Sequence, residues 1–282
     1  MKFIIIIPAH NEEATILKTL ASLSVQTYQD FDVVVVNDGS TDQTQRLVAD
    51  FIENDTRFKM IQLPPSQHQP GAKVVRTFNA GLSSVDWSNY EIICKFDADI
   101  IFPKDYLARL QEVYAQNPKA GMVSGLVYIE KEGQWVFENL SSKNHVRGPI
   151  KSYRKACFTQ MNGLREVLGW DNIDVMLAQM HGYQVVAIKD LWVKHLRPTA
   201  YKYQRQKARK LGEYFYNIGL NWQLAMVSSL KSSFKNQSVT EFFITMATFL
   251  KQNQPRVLSA AEIKYIRTIR NPLQRWFVKF KK

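Results

Sequence analysis

The 282-residue sequence holds only two cysteines, Cys94 and Cys157. That excludes a disulfide framework and a cysteine-based zinc site, and it suits a reducing compartment. Long apolar runs are also missing. The opening run at residues 3–7 is too short for a signal peptide or a spanning helix, so nothing is expected to be cleaved from this end. Asn217, Asn221 and Gln223 interrupt the run from 215 to 230, and Glu241 precedes the next one. No stretch therefore reaches about 18 uninterrupted apolar residues, and the chain is not expected to span a bilayer. Acids are scarce in one region only: residues 200–282 carry 3 Asp+Glu against 16 Lys+Arg, whereas residues 1–199 carry 22 against 21. The whole net charge of +12 is thus C-terminal, a density that attracts anionic headgroups, nucleic acid or phosphate-bearing substrates. Internal repeats and low-complexity segments are absent, and 45% apolar with 22% charged residues excludes disordered, collagen-like and coiled-coil classes.

What is present is an alternation of strands and helices. A β-branched apolar run at residues 2–7, stopped by Pro8, reads as a strand buried on both faces. Asn11 as a cap, early acids, and Ile16, Leu17, Leu20 and Leu23 predict a helix over residues 12–24. A strand over 31–36, a helix over 41–52, a strand over 58–63, a Pro/Gln/Gly-rich loop over 64–71, a helix over 74–82 and a strand over 91–96 follow. Four such alternations predict an open, mostly parallel sheet whose ligands lie beyond the carboxyl ends of its strands. Beyond residue 103 the pattern becomes mixed, with helices over 104–116 and 173–181, strands over 122–129 and 185–187, and only helices from 201 onward.

Polar residues gather at three predicted strand ends: Pro8-Ala9-His10-Asn11-Glu12-Glu13, Asp38-Gly39-Ser40-Thr41-Asp42, and Asp97-Ala98-Asp99. Taken singly, the first two read equally well as helix caps and turns. The third makes a poor turn, because it lies between Phe96 and Ile100. Two carboxylates so placed repel each other unless a cation or hydrogen-bond donors lie between them, which is how a hard divalent ion is commonly held.

With Asn79-Ala80-Gly81-Leu82 added, this ordered set over residues 3–102 resembles family 2 glycosyltransferases of the GT-A fold. The resemblance implies an α/β, Rossmann-like, mostly parallel sheet flanked by helices, an inverting mechanism, and a nucleoside-diphosphate sugar donor, UDP-linked by preference. Carried over residue by residue, it assigns donor contacts to Pro8, Ala9, Asn11, Glu12, Asp38, Asp97 and Ala98, and it assigns Asp99 to Mn2+ or Mg2+ bridging the diphosphate. The family's Gly-Lys element appears here as Gly71-Ala72-Lys73, followed by Arg76, and either cation can serve a phosphate. The stretch Leu168-Gly169-Trp170-Asp171-Asn172-Ile173-Asp174 resembles the family's Glu-Asp element ahead of a Gly-Tyr pair, here Gly182-Tyr183. That places the catalytic base at Asp171, or at Asp174 one helical turn on, with the other capping the helix or orienting the acceptor. His195, after an apolar strand and between Lys194 and Arg197, stands where GT-A enzymes often return a histidine to the diphosphate.

The expected organisation is a catalytic domain over 1–200, divided into a donor half (1–103) and an acceptor and base half (104–200), with a basic helical extension over 201–282. The expected partners are the nucleotide sugar, a glycan or lipid-linked acceptor, and an anionic membrane surface. That surface would be met by Tyr214, Phe215, Tyr216, Trp222, Leu224, Phe242, Phe243, Phe249, Trp276 and Phe277 among the cations, at the inner face of the cytoplasmic membrane. The alternative for these residues is an ordinary apolar stripe packed on the catalytic domain. Gln274-Arg275-Trp276 does not match the Gln-x-x-Arg-Trp element of processive synthases, so single-sugar transfer is expected. A nucleotidyltransferase would open on a Gly-rich basic loop, whereas residues 8–13 are acidic. A nucleic-acid-binding protein would turn three carboxylate motifs toward a polyanion, so no nucleic acid is expected.

Overall fold

The computed structural model describes residues 1–65, 69, 71–197 and 206–271. Its elements are β1 (Phe3–Ala9), α1 (Ile16–Ser24), β2 (Phe31–Asp38), α2 (Thr44–Ile52), β3 (Phe58–Leu63), α3 (Ala72–Ser83), β4 (Ile92–Phe96), β5 (Ile100–Ile101), α4 (Tyr106–Gln116), β6 (Ala120–Lys131), β7 (Gln134–Phe137), β8 (Ile150–Arg154), α5 (Lys155–Gln160), α6 (Trp170–Met180), β9 (Gln184–His195), α7 (Lys207–Asn217), α8 (Trp222–Lys235), α9 (Val239–Lys251) and α10 (Ala260–Arg270). The strands form one sheet in the order β3-β2-β1-β4-β8-β6-β9-β5, with β7 hanging on β6. Pairs β1–β2, β2–β3, β1–β4 and β6–β9 are parallel, whereas β8 runs antiparallel to both β4 and β6.

The uninterrupted apolar run of β1 follows from burial on both faces. Phe3, Ile5, Ile7 and Ala9 point into a core with Ile16, Leu20 and Leu23 of α1, Val48 of α2 and Leu107 and Leu110 of α4. Ile4 and Ile6 point the other way, against Val75 and Phe78 of α3. Successive strand residues alternate faces, so a two-sided sheet has no place for polar residues along β1. The second core continues through Ile173 and Leu177 of α6 into Phe215, Ala225, Phe249 and Ile266 of the C-terminal helices. These helices pack on the α3/α6 face and share its core.

Several boundaries differ from the sequence reading. The sheet is mixed, because the stretch from 130 to 165, where no pattern was legible, supplies β7, β8 and α5. Helix α1 starts at Ile16, and Asn11 does not cap it: Asn11 adopts φ 55° in a turn that binds the neighbouring loop. Helix α6 starts at Trp170 rather than 173. Strand β9 is 12 residues long rather than three, since Ile188, Leu191, Val193 and His195 face inward while charged residues between them face out. Residues 201–205, Trp276 and Phe277, and the Gln274-Arg275-Trp276 run lie outside the described residues.

The glycine of the Asn79-Ala80-Gly81-Leu82 motif has a packing role. A Cβ at Gly81 would come within 2.5 Å of Val36 Cγ2 and 2.6 Å of Ile6 Cγ2, so α3 can lie this close to β1 and β2 only without a side chain there. Gly81→Ala is expected to lower stability by about 1–3 kcal/mol, the range for overpacking a close-packed interior. Urea unfolding measures it, and an unchanged midpoint would show that α3 is not held against the sheet in this way.

Candidate active site

Because β2, β1 and β4 are adjacent and parallel, their carboxyl ends bring the three polar motifs to one edge of the sheet. The first two motifs are fastened to each other. Asn11 Oδ1 accepts from the Thr41 amide (2.8 Å), the Asn11 amide donates to Ser40 Oγ (3.0 Å), the Glu12 amide donates to Thr44 Oγ1 (2.7 Å), and Glu13 accepts from the Gln43 amide (3.0 Å). The third motif is pinned from below by α1. Thr19 Oγ1 donates to the Ala98 carbonyl (2.9 Å) and accepts from the Ile100 amide (3.1 Å). The three turns are thereby set by the buried hydroxyls of Thr19 and Thr44 and by the side chains of Asn11, Glu13 and Ser40.

Between them opens a cavity of about 510 Å3, lined by Pro8, Ala9, Glu12, Asp38, Lys73, Asp97, Ala98, Asp99 and Arg197 among others. Of the residues predicted to contact a donor, Asn11 and Arg76 are not in its wall. Asn11 is consumed in the turn. Arg76 is exposed and is not among the residues that line the cleft with Lys73. Asp38 is buried, accepts from Thr77 Oγ1 at 2.7 Å and lies 3.4 Å from Lys73 Nζ.

The two acids of Asp97-Ala98-Asp99 do not share one cation. Asp97 is bound by the buried Lys95 of its own strand. Asp99 Oδ2 lies 3.1 Å from Arg197 Nε and 3.4 Å from His195 Nε2. Pairing of Ile100 in β5 with His195 at the end of β9 brings these partners there. The result is a run of alternating charges, in which Arg147 meets Glu138, Glu138 lies 3.5 Å from His195 Nδ1, and Arg197 bridges Asp99 to Glu12. Burial disfavours ionised Asp99, but hydrogen bonds and charge from His195 and Arg197 outweigh it and hold the carboxyl below its usual range. Burial likewise opposes a charged His195, yet Asp99 and Glu138 win and raise it to about 9. Burial lifts the Glu12 carboxyl above its ordinary value, with Arg197 pulling the other way.

Among the described residues, no group of three or more His, Cys, Asp or Glu gathers as a metal cage. Within the described part of the cleft, the carboxylate of Asp99 lies beside the imidazole of His195. That donor set fits a Mg2+- or Mn2+-type ion that takes its remaining ligands from phosphate and water. Glu138 and Arg147, which complete the charge run, escaped sequence reasoning because they fall in the illegible 130–165 stretch. Arg197 was visible only as a neighbour of His195.

The two candidate bases are placed very differently. Asp174 is 1% exposed, lies 2.8 Å from Lys151 Nζ, and accepts from Tyr153 OH at 2.6 Å and from the Val175 amide at 2.6 Å. Burial pushes its carboxyl up, and Lys151 and Tyr153 pull it down. It is enclosed by these partners. Asp171, in the first turn of α6, instead lines a second cavity of about 490 Å3 with Leu168, Lys207, Lys210, Tyr214 and Lys235. Leu168 and Lys210 border both cavities. Trp170 sits against both buried lysines, its ring 5.3 Å from Lys95 Nζ and 5.5 Å from Lys151 Nζ, and those lysines are register partners across β4 and β8. Helix α7 braces the start of α6. Asn217 Nδ2 donates to the Leu168 carbonyl at 3.1 Å, and the Tyr214 ring fills the space where a Cβ on Gly169 (φ 93°) would stand.

A sheet of this topology, with carboxylates and cations converging at its carboxyl edge, defines an α/β nucleotide-binding architecture. The chain belongs to glycosyl transferase family 2, whose model matches residues 4–164. It is 28% identical over 247 residues to the glycosyltransferase GlyA of Streptococcus pneumoniae, covering 86% of this chain and 30% of GlyA. The matches span no more than 30% of the curated relatives' lengths. Among solved structures, S. aureus TarS 1–349 in complex with UDP-GlcNAc superposes with a TM-score of 0.62 at 18% identity, covering 99% of this chain and 92% of that one. The mannosyltransferase PcManGT of Pyrobaculum calidifontis, in complex with GDP-Man and Mn2+, gives 0.60 at 17%, covering 94% and 72%. The fold is therefore GT-A-type, with extra C-terminal helices.

The Lys151–Asp174 pair gives a direct test of the placement of α6. Lys151→Met leaves a buried carboxylate without its counter-charge and is expected to cost about 3–5 kcal/mol. Lys151→Met/Asp174→Asn should recover most of that loss in urea unfolding. A loss below about 1 kcal/mol for the single variant, the range of an exposed pair, would contradict the burial described.

Proposed function

We propose that the chain transfers a sugar from a nucleoside-diphosphate donor, UDP-linked by preference, to an acceptor hydroxyl with inversion at the anomeric carbon. The observation that carries this reading is the single cleft at the ends of β1, β2 and β4, where Asp38, Asp97 and Asp99 meet Lys73 and Arg197. Pro8, Ala9, Glu12 and Asp38 would take the base and ribose, and Asp97 with Ala98 the ribose side. Lys73 and Arg197 would take phosphate oxygens. Asp99, with His195 beside it, would hold a divalent cation, which supplies charge stabilisation to the leaving diphosphate. The Mn2+ in the PcManGT complex supports that assignment.

Asp171 is the base in this reading. It lines a cavity that adjoins the donor cleft through Leu168 and Lys210, so an acceptor held there presents its hydroxyl to a carboxylate next to the sugar. Asp171 takes the hydroxyl proton, the oxygen attacks the anomeric carbon, and the nucleoside diphosphate departs from the opposite side. Asp174, held by Lys151 and Tyr153, positions the helix and does not touch the acceptor. The acceptor in this reading is a glycan or a lipid-linked molecule of cell-surface assembly. Asp171→Asn should lower turnover by about 10²–10⁴-fold while UDP still binds, and Asp99→Asn should abolish transfer and blunt its response to Mn2+. Near-normal turnover of Asp171→Asn would remove the base assignment.

We also place the protein against an anionic membrane, on the cytoplasmic side. No helix among the described residues is long and apolar enough to cross a bilayer. Of the aromatic residues expected at an interface, Phe215 and Phe249 are buried in the core, so the packing explanation accounts for them. Trp222 and Phe243 are exposed, and they are joined by Phe234, Val239 and Leu250, with Phe234 88% exposed. Apolar side chains of this kind near Lys231, Lys235 and Lys251 support a peripheral contact. Flotation with phosphatidylglycerol vesicles should carry the protein up, and Phe234→Ser/Phe243→Ser should not float. Equal flotation with neutral vesicles would contradict the anionic preference.

A further inference from the structure

The C-terminal charge surplus has a local counterpart, of which only Lys210 also borders the donor cleft. Three lysines, Lys207 and Lys210 of α7 and Lys235 at the end of α8, line the cavity that holds Asp171. Donor phosphates have their own cations, Lys73 and Arg197, in the adjoining cleft. The acids around the second cavity are few. Asp171 lies in its wall, and Glu213 lies near Lys210, where burial lowers the proton affinity of the lysine and Glu213 offsets part of that loss. Glu241 accepts from Ser232 Oγ at 2.6 Å and from Asn236 Nδ2 at 2.9 Å, neutral partners that leave its negative charge in place, and it is not among the residues lining the cavity. Lys207 donates to the amide oxygen of Asn236 at 3.4 Å, a neutral partner that leaves its charge in place.

We infer that the acceptor carries phosphate, and that Lys207, Lys210 and Lys235 bind a phosphate group of the acceptor while Asp171 faces its hydroxyl. The inference rests on the sugar-transfer reading above. Lysine ammoniums act as point charges and suit phosphate, whereas planar carboxylate recognition favours the forked guanidinium of arginine. Among the described residues lining this cavity there is no arginine. A neutral glycan would take hydrogen bonds from three ammoniums set around the base but no long-range attraction. An acceptor with repeated phosphates, such as a polyol-phosphate chain, is drawn in by their field and held with a hydroxyl next to Asp171. Lys210 is half-buried and borders both cavities, so it sits between acceptor phosphate and donor diphosphate. The exposed Lys207 and Lys235 separate the acceptor role from the donor role.

The test uses the whole chain with UDP and Mn2+ present, titrated calorimetrically with a synthetic glycerol-phosphate trimer and with neutral triglycerol. The trimer should bind more tightly than triglycerol, and its affinity should fall as salt rises from 50 to 200 mM. Lys207→Gln/Lys235→Gln should weaken trimer binding by about five- to tenfold, the combined scale of two partly exposed charge pairs, with UDP affinity unchanged. Equal binding of trimer and triglycerol, or an unaltered double variant, would overturn the inference while leaving sugar transfer standing. Absence of UDP binding by the unaltered protein would count against the transfer reading instead. Tighter binding to phosphatidylglycerol vesicles than to the trimer, lost in the same double variant, would assign the phosphate to a lipid headgroup and overturn the acceptor assignment.

Discussion

Carboxylates held at the ends of buried parallel strands must be answered by positive charge, and the rest of the site follows from how this chain answers them. Glu12, Asp99 and Glu138 come from three distant parts of the sequence, and each is partly or fully withdrawn from water. Left unpaired, any of them would be strongly disfavoured in low-dielectric surroundings. Arg197, His195 and Arg147 interleave with them, so that the ends of β1, β4 and β9 and the loop before β8 are joined by one alternating run of charge. The arrangement keeps the donor cleft preorganised. It also leaves cations beside the place where a diphosphate would carry its charge, which is the electrostatic provision that transfer from a nucleotide sugar needs.

The part of the chain that sequence reasoning resolved is the part governed by local pattern. Strands buried on both faces leave uninterrupted β-branched runs, and β1, β2 and β4 were therefore readable with their carboxyl ends and the polar motifs on them. Strand β8 carries Lys151, Ser152 and Arg154 and does not read as a core strand, although Lys151 is wholly buried. Its place in the sheet is bought by long-range partners: Asp174 for the lysine, and the backbone carbonyls of Tyr114, Asn117 and Ala120 for Arg154. Such partners leave no mark on hydrophobic periodicity. The same reason hid Glu138 and Arg147. Asn11 looked like a helix cap because capping and turn-to-turn bonding use the same side-chain chemistry, and only tertiary structure separates them.

The C-terminal helices, expected as an extension, supply part of the wall of the cavity that holds Asp171. Tyr214 packs on Gly169, Asn217 holds the Leu168 carbonyl, and Arg165 pairs with Glu262 of α10 at 2.6 Å. Helix α6, which bears Asp171, is thereby fixed from the sheet by Lys151 and from the opposite side by α7 and α10. Two carboxylates one turn apart on that helix have different surroundings, because one faces this packed interior and the other faces a cavity.

The central claim is that nucleotide and cation meet at the joined ends of β1, β2 and β4. Paramagnetic broadening of backbone amide signals by Mn2+ in the presence of UDP tests it most directly. Broadening should centre on Ala98, Asp99 and Leu196, with UDP-induced shifts at Ala9 and Asp38. Broadening centred on the C-terminal helices, or UDP shifts far from these strand ends, would contradict the account.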